Sequence, residues 1–409
     1  MSKNPLKVYT TLRFFSALLF TMIVTVNLVY QAAVVKLNPL QLVLVGTLLE
    51  TVSFIFEVPT GIVADIYSRK LSVIIGVFLI GLGFTVEGLF PTFLAVLFAQ
   101  IIWGIGFTFV SGAREAWIAD EIGEENAGKA YLKGSQMSQI GALVGIILSM
   151  FLANINIRLP IILGGMLYGT QAIFLTMFMP ENGFKPTPNE KSTTFRTMKD
   201  IFISGLHLVQ KSRVLIFIVI TGLIFGMFSE GFDRLWTPFM LKTFTFPSLG
   251  SLSSVTWFGL INIAATILTI GALWITHKIT NTNKHHSVTK TLLAVNTLLS
   301  FSIILFGFAG NFFIAILLYC CGFIFREIRN PLYDSWINQN LESKTRATVF
   351  SMCSQANAVG QIIGGPILGI IATYVSLRLG IVGAGIILIP TLFLYLYSFK
   401  KHKLINYKI

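Results

Sequence analysis

Read position by position, the chain alternates long apolar runs with short polar punctuation. A helix that spans a bilayer needs roughly 20 mainly apolar residues, because about 1.5 Å of rise per residue must cross about 30 Å of hydrocarbon. Twelve runs meet that requirement, near 8–31, 40–64, 72–90, 92–117, 131–153, 158–180, 214–238, 252–276, 289–308, 311–336, 347–373 and 378–399. The first is too long and, at Asn27, Tyr30 and Gln31, too polar at its far end for a cleaved signal, and no small-residue cleavage site follows it. It is therefore expected to remain as a span.

The longest polar stretch is 181–213, ENGFKPTPNEKSTTFRTMKDIFISGLHLVQKSR, which carries Pro186, Pro188 and mixed charges. It divides an amino-terminal half, 1–180, from a carboxy-terminal half, 214–399, with a short basic tail at 400–409. Inside it Met198, Ile201, Phe202, Gly205 and Val209 follow a helical period with Lys199, Asp200, His207 and Lys211 opposite, which predicts an interfacial helix. The halves also resemble each other at an offset of 219 residues: REAWIADEIGEENAGKAYLKGSQMSQIGALVG (114–145) aligns without a gap on YDSWINQNLESKTRATVFSMCSQANAVGQIIG (333–364). Trp117/Trp336, Gln136/Gln355, Gly141/Gly360 and Gly145/Gly364 coincide, and Glu115 faces Asp334. Two repeated halves of six helices are the architecture of secondary transporters, in which the halves move about a site near the bilayer midplane. The sequence thus predicts an all-α membrane protein of twelve transmembrane helices in two pseudo-symmetric bundles.

Composition agrees: 54% hydrophobic residues, 11% charged residues and a mean hydropathy of +0.78 exclude a soluble globule of this size. The net charge of +13 would raise nucleic-acid binding in a soluble protein, but here it maps onto topology. With the amino terminus inside, 21 of 30 Lys and Arg fall in cytoplasmic segments, four (Lys36, Arg158, Lys242, Arg378) in outer ones and five within helices. Both termini are therefore expected in the cytoplasm, with the chain multi-pass in the plasma membrane and probing no nucleic acid. The tail KKHKLINYKI reads as a stop signal that can also touch anionic lipid. The three cysteines, Cys320, Cys321 and Cys353, lie within spans at no metal-ligand spacing, so neither a disulfide framework nor a metal or other cofactor is indicated.

Charge inside the spans is the candidate chemistry, because inserting one costs at least ~2.5–3.5 kcal/mol. Helix 2 carries Glu50 and Glu57, seven residues apart and so nearly on one face. No basic residue lies within a turn of either on that helix, which suits them to carry protons. Glu87 stands near the outer end of helix 3, Arg114 and Glu115 on helix 4, Glu230, Asp233 and Arg234 on helix 7, and Arg326, Glu327, Arg329 and Asp334 on helix 10. Two readings stay open for these: neutralised ion pairs that fix helix contacts, or groups that handle protons and substrate. The glycines Gly141, Gly145, Gly360 and Gly364 read first as close helix packing, and Gly364-Gly365-Pro366 as packing with a bend.

One stretch links these features to a family. Residues 57–70, EVPTGIVADIYSRK, place Gly61, Ala64, Asp65, Arg69 and Lys70 in an order that resembles motif A of the major facilitator superfamily, G-x-L-x-D-x-x-G-R-[KR]. Ile62-Val63 and Ser68 depart mildly from it. The resemblance implies that Gly61, Asp65, Arg69 and Lys70 form a conformational latch, whose acid pairs with bases and a helix end across the two halves. Glu57, which the usual motif lacks, makes the string similar to the variant found in P-class tetracycline efflux pumps. Two departures bear on coupling: Gln100 holds the place where proton-coupled members carry the motif B Arg, and the Gly-Pro signature of motif C is missing from helix 5. Proton coupling would then rest on Glu50, Glu57, Glu115, Glu230, Asp233, Glu327 and Asp334.

The implied function is a monomeric secondary active transporter that exports amphiphilic drugs, tetracycline-like compounds among them, in exchange for protons. The alternative is a proton-coupled uptake symporter or facilitator for a small anionic metabolite, with Arg114, Arg326 and Arg329 on its carboxylate or phosphate. An enzyme or channel has no support, since the chain contains no Walker A, H-E-x-x-H, G-x-S-x-G or TVGYG-like string.

Overall fold

The computed structural model describes residues 4–186, 209–210, 213–248, 254–282, 284–339 and 346–406. Among these residues the chain forms fourteen helices and no strand. They are α1 (Pro5–Ala33), α2 (Pro39–Ile66), α3 (Arg69–Leu89), α4 (Phe93–Val110), α5 (Ala113–Ile122), α6 (Glu124–Ile155) and α7 (Leu159–Phe178), followed by α8 (Arg213–Thr243), α9 (Ser254–Ile279), α10 (His285–Gly307), α11 (Phe312–Asn338), α12 (Arg346–Tyr374), α13 (Leu377–Ile387) and α14 (Ile389–Asn406). The interfacial helix expected over 198–211 falls almost wholly outside the described residues.

Eleven helical segments among the described residues are long and apolar enough to cross a membrane, counting α4 with α5 and α13 with α14. The one remaining expected span, the tenth, is α11, which has the length but carries Arg326, Glu327, Arg329 and Asp334 in its second half. The fourth span, expected as one helix, is broken at Gly112, which takes φ +73° and starts α5 without a side-chain cap. That left-handed value suits glycine, which has no Cβ to clash. The last span breaks just before Pro390, whose ring nitrogen cannot donate to the preceding turn.

Local chemistry explains the helix starts. Asn38 and Gln41 form a reciprocal capping box ahead of α2, and Ser68 caps α3 by accepting the Leu71 N–H at 2.9 Å.

The chain divides into two compact units, Met1–Gln41 with Leu48–Glu190 and Pro247–Gly259, and Leu42–Thr47 with Lys191–Phe246 and Leu260–Ile409. In the first, α1 packs on α6, and α3 packs on both α4 and α7. In the second, α8 packs on α12, and α10 on α11. The glycines of the repeat make the two main contacts possible. A Cβ at Gly141 or Gly145 would lie 2.2 and 2.4 Å from the carbonyl oxygens of Phe14 and Leu18. A Cβ at Gly360 would lie 2.0 Å from the Leu223 oxygen, and one at Gly364 2.3 Å from the Met227 Cα. Between lipid-immersed helices, where no water is expelled, such backbone approach supplies the dispersion contact that holds the pair together. Trp117 and Trp336, the aligned tryptophans, are both fully buried, each within its own unit.

Candidate functional site

The motif A segment folds as the end of α2, a two-residue turn and the start of α3. The Arg69 guanidinium pairs with Asp120 of α5 at 2.7 Å and more loosely with Asp65, one turn back, at 3.8 Å. Glu181, from the segment after α7, accepts the Ser68 hydroxyl at 2.6 Å and the Lys70 N–H at 2.8 Å. A carboxylate there also meets the partial positive charge at the start of α3. The segment at 180–183 is held independently: the Trp117 indole donates to the Pro180 carbonyl at 2.6 Å, and Glu121 accepts the N–H groups of Asn182 and Gly183. Within this unit the residues expected to form a latch thus belong to a cluster of alternating charges joining α2, α3 and α5. The Lys70 side chain makes no ion pair among the described residues, and a Cβ at Gly61 would meet nothing within 4 Å.

The same unit contains a cavity of about 360 Å³ walled by α1, α3, α4, α5, α6 and α7. Arg13, Arg114 and Glu115 converge on it from one side, and Phe20, Trp103 and Tyr168 form its apolar wall. Arg114 donates twice to Glu115 Oε1, at 2.8 and 3.0 Å, and Arg13 reaches the same oxygen at 3.5 Å. Two guanidinium groups thus share one carboxylate, and the buried Arg13 Nε has no hydrogen-bond partner. Tyr168 donates to the Ser16 carbonyl at 2.9 Å, which fixes its ring against α1. Two grooves of 430 Å³ elsewhere on the unit are larger, but their walls are almost wholly apolar. Convergent polar groups on an apolar wall, rather than volume, mark a ligand site.

Other residues singled out from sequence fall as follows. Glu57 is exposed, and its carboxylate has no hydrogen bond or ion pair among the described residues; Glu50 is half-buried. Gln100 is buried. In the second unit Arg326 grips both oxygens of Asp233, one of them at 2.8 Å, and Arg234 donates to the buried Glu230 at 3.0 Å. Arg329 is buried with its guanidinium 3.6 Å from the centre of the Phe225 ring and 4.4 Å from that of Tyr333. Glu327 is half-buried and Asp334 exposed. Arg326 is thus occupied by an acid of its own unit, as is Arg114 by its neighbour Glu115.

Two residues of the site escape a reading of spacing alone. Asp120 lies 51 positions after its partner Arg69, and Glu181 follows at 111 from Lys70. Arg13 did carry a signal, being a cation inside the first predicted span.

A family model described as Major Facilitator Superfamily matches residues 10–326. The MFS-type transporter YxaM of Bacillus subtilis (strain 168) is 27% identical over 359 residues, which cover 87% of this chain and 86% of that one. Multidrug resistance protein MdtH of Salmonella arizonae is 23% identical over 306 residues, 74% of this chain and 70% of the relative. Among solved structures, a POT family transporter in complex with 5-aminolevulinic acid superposes with a TM-score of 0.74 at 15% identity, covering 97% of this chain and 96% of the other. The nucleoside transporter NupG does so with 0.73 at 15%, over 97% and 99%.

Proposed function

Since the chain belongs to the major facilitator superfamily and is a membrane transporter, we propose that it exports amphiphilic compounds in exchange for protons by alternating access. The observation that carries this reading is the cavity of the amino-terminal unit, where an aromatic wall faces Arg13, Arg114 and Glu115. Aromatic surface suits the apolar body of an amphiphile, and the charged side suits its polar end. Glu57, exposed on α2 in the motif A variant, is the carboxyl group to which this reading gives the proton. The likeness to multidrug resistance protein MdtH supports export.

A second reading, uptake of a small anionic metabolite, is favoured by one detail. Two guanidinium groups share a single carboxylate in the cavity, leaving an excess positive charge to receive a carboxylate or phosphate. The likeness to a POT family transporter in complex with 5-aminolevulinic acid supports this second reading.

Everted membrane vesicles with an imposed pH gradient and a panel of fluorescent amphiphiles separate the two. Gradient-driven accumulation inside the vesicles is expected for export, and it should collapse in Glu57→Gln, which keeps size but has no ionisable carboxyl group. Accumulation that is indifferent to the gradient removes the proton-exchange reading, and accumulation unchanged in the variant removes Glu57 from it. In the same assay Arg13→Gln is expected to weaken apparent affinity about tenfold, the equivalent of about 1.4 kcal/mol or one charge-assisted hydrogen bond. An unchanged affinity would place the substrate's polar end elsewhere.

A further inference from the structure

Glu87, at the far end of α3 from motif A, is completely buried, and the transport scheme above leaves it without a task. Its Oε1 accepts the Gln31 amide at 2.7 Å and its Oε2 the Gln100 amide at 3.2 Å. Gln100 is in turn held from outside, since its own oxygen accepts the Trp103 indole N–H at 2.9 Å. An indole can only donate, so it fixes which end of the Gln100 amide faces it and leaves the NH₂ for Glu87. Gln31 has no such constraint, and its buried oxygen has no hydrogen-bond partner.

Tyr30 and Arg158 are titratable and charged groups that face this site. The Tyr30 hydroxyl donates to the Glu87 carbonyl at 2.7 Å, and the Arg158 guanidinium donates to the carbonyls of Gly88 and Leu89 at the end of α3. Both bind backbone, while amides of α1 and α4 bind the carboxylate.

We infer that Glu87 is a proton-binding site of the amino-terminal unit, linked to the substrate cavity through Gln100 and Trp103, with Gln31 as the amide that turns when the proton arrives. The inference rests on reading that cavity as the substrate site. In the arrangement seen, both carboxylate oxygens accept, as the ionised form requires. A proton arriving on Oε1 makes that oxygen a donor, and Gln31 answers by reversing its amide so that its orphaned oxygen accepts. No bond other than O–H is made, and the proton leaves by the reverse path. Trp103 lines the cavity, stacked on Phe84 at 5.3 Å and beside Phe20 at 6.2 Å. A ligand packed on Trp103 in this orientation secures the indole on Gln100, secures the Gln100 NH₂ on Glu87 and so favours the ionised form. By reciprocity, proton binding loosens Trp103 and weakens the ligand. That sign is the one exchange transport needs.

The test uses the purified full-length transporter and pH alone. Infrared difference spectra between acid and alkaline pH should show the C=O band of a buried protonated carboxyl, lost in Glu87→Gln. The part of the tryptophan emission that disappears in Trp103→Phe should change with the same midpoint, and that response should vanish in Glu87→Gln and in Gln100→Leu. Should Glu87→Gln fail to fold, Glu87→Asp serves, with the infrared and emission midpoints expected to move together. An absent band, a band surviving in Glu87→Gln, or a Trp103 response that outlives loss of either Glu87 or Gln100 would overturn the inference. Failure of the transport reading looks different: no gradient-driven export in vesicles, with the pH signals intact.

Discussion

Arg69→Ala is expected to lower transport by at least about tenfold while leaving expression near normal, because a shift of about 1.4 kcal/mol in the balance between conformations is enough for that loss. Arg69 pairs with Asp65 and Asp120, at an end of the unit that also carries the carboxylates of Glu121 and Glu181. Its side chain is only 20% exposed, so its pairing with Asp120 is screened less than a surface ion pair. Folding does not hang on it, since Ser68 and Glu181 cap α3, while Trp117 and Glu121 fasten the segment after α7. What Arg69 adds is a tie between α3 and α5 that can break and remake, the property a latch requires. Asp120→Ala should reproduce the defect, and Arg69→Lys should restore part of it, keeping the charge but losing the planar fork. The measurement is the initial transport rate in vesicles at matched protein levels. Wild-type rates in both Arg69→Ala and Asp120→Ala would remove the latch from the mechanism.

The fold was legible because its signals are local. Apolar runs of membrane length located the spans, and the gapless repeat at 114–145 and 333–364 located equivalent packing in both units, where Gly141 and Gly360 turn out to meet backbone carbonyls. The charge clusters were legible only as inventories. Spacing placed Glu230 and Arg234 one turn apart and they do pair, but nothing along the chain could say that Arg326 would reach across to Asp233 rather than Glu230. The Arg69–Asp120 pair was hidden for the same reason, since rotation of α5 about its axis follows from the break at Gly112, a backbone angle that a count of residues does not contain. For Glu87, near the outer end of its helix, the sequence leaves open both an ion pair that fixes a helix contact and a group that handles protons or substrate. In the structure the ends of α1 and α4 close over it, which a single-helix reading cannot anticipate.

Arg326→Ala should have the largest effect in the carboxy-terminal unit: reduced folded yield together with loss of transport. The guanidinium binds both oxygens of Asp233 and lies about 6 Å from the rings of Phe225 and Phe228, so it ties α11 to α8 by charge and by ring faces at once. Breaking one side of a fully buried pair costs about 3–5 kcal/mol. Here Asp233 retains 43% exposure, and solvent screening reduces the expected destabilisation to about 1–2 kcal/mol. The single variant cannot separate a structural tie from a transport role, because both predict a loss. The double variant Asp233→Ala/Arg326→Ala can, since it leaves no uncompensated charge behind. If the pair serves only to join two helices, the double variant should recover yield and transport together. If Asp233 or Arg326 handles a proton or the substrate, yield should recover while transport stays at background. Yield is read from the monodisperse fraction in detergent and transport from everted vesicles, so the two outcomes do not overlap. Recovery of both would assign this pair to architecture and leave the proton to the other carboxyl groups, the exposed Glu57 and the buried Glu87 of the amino-terminal unit among them.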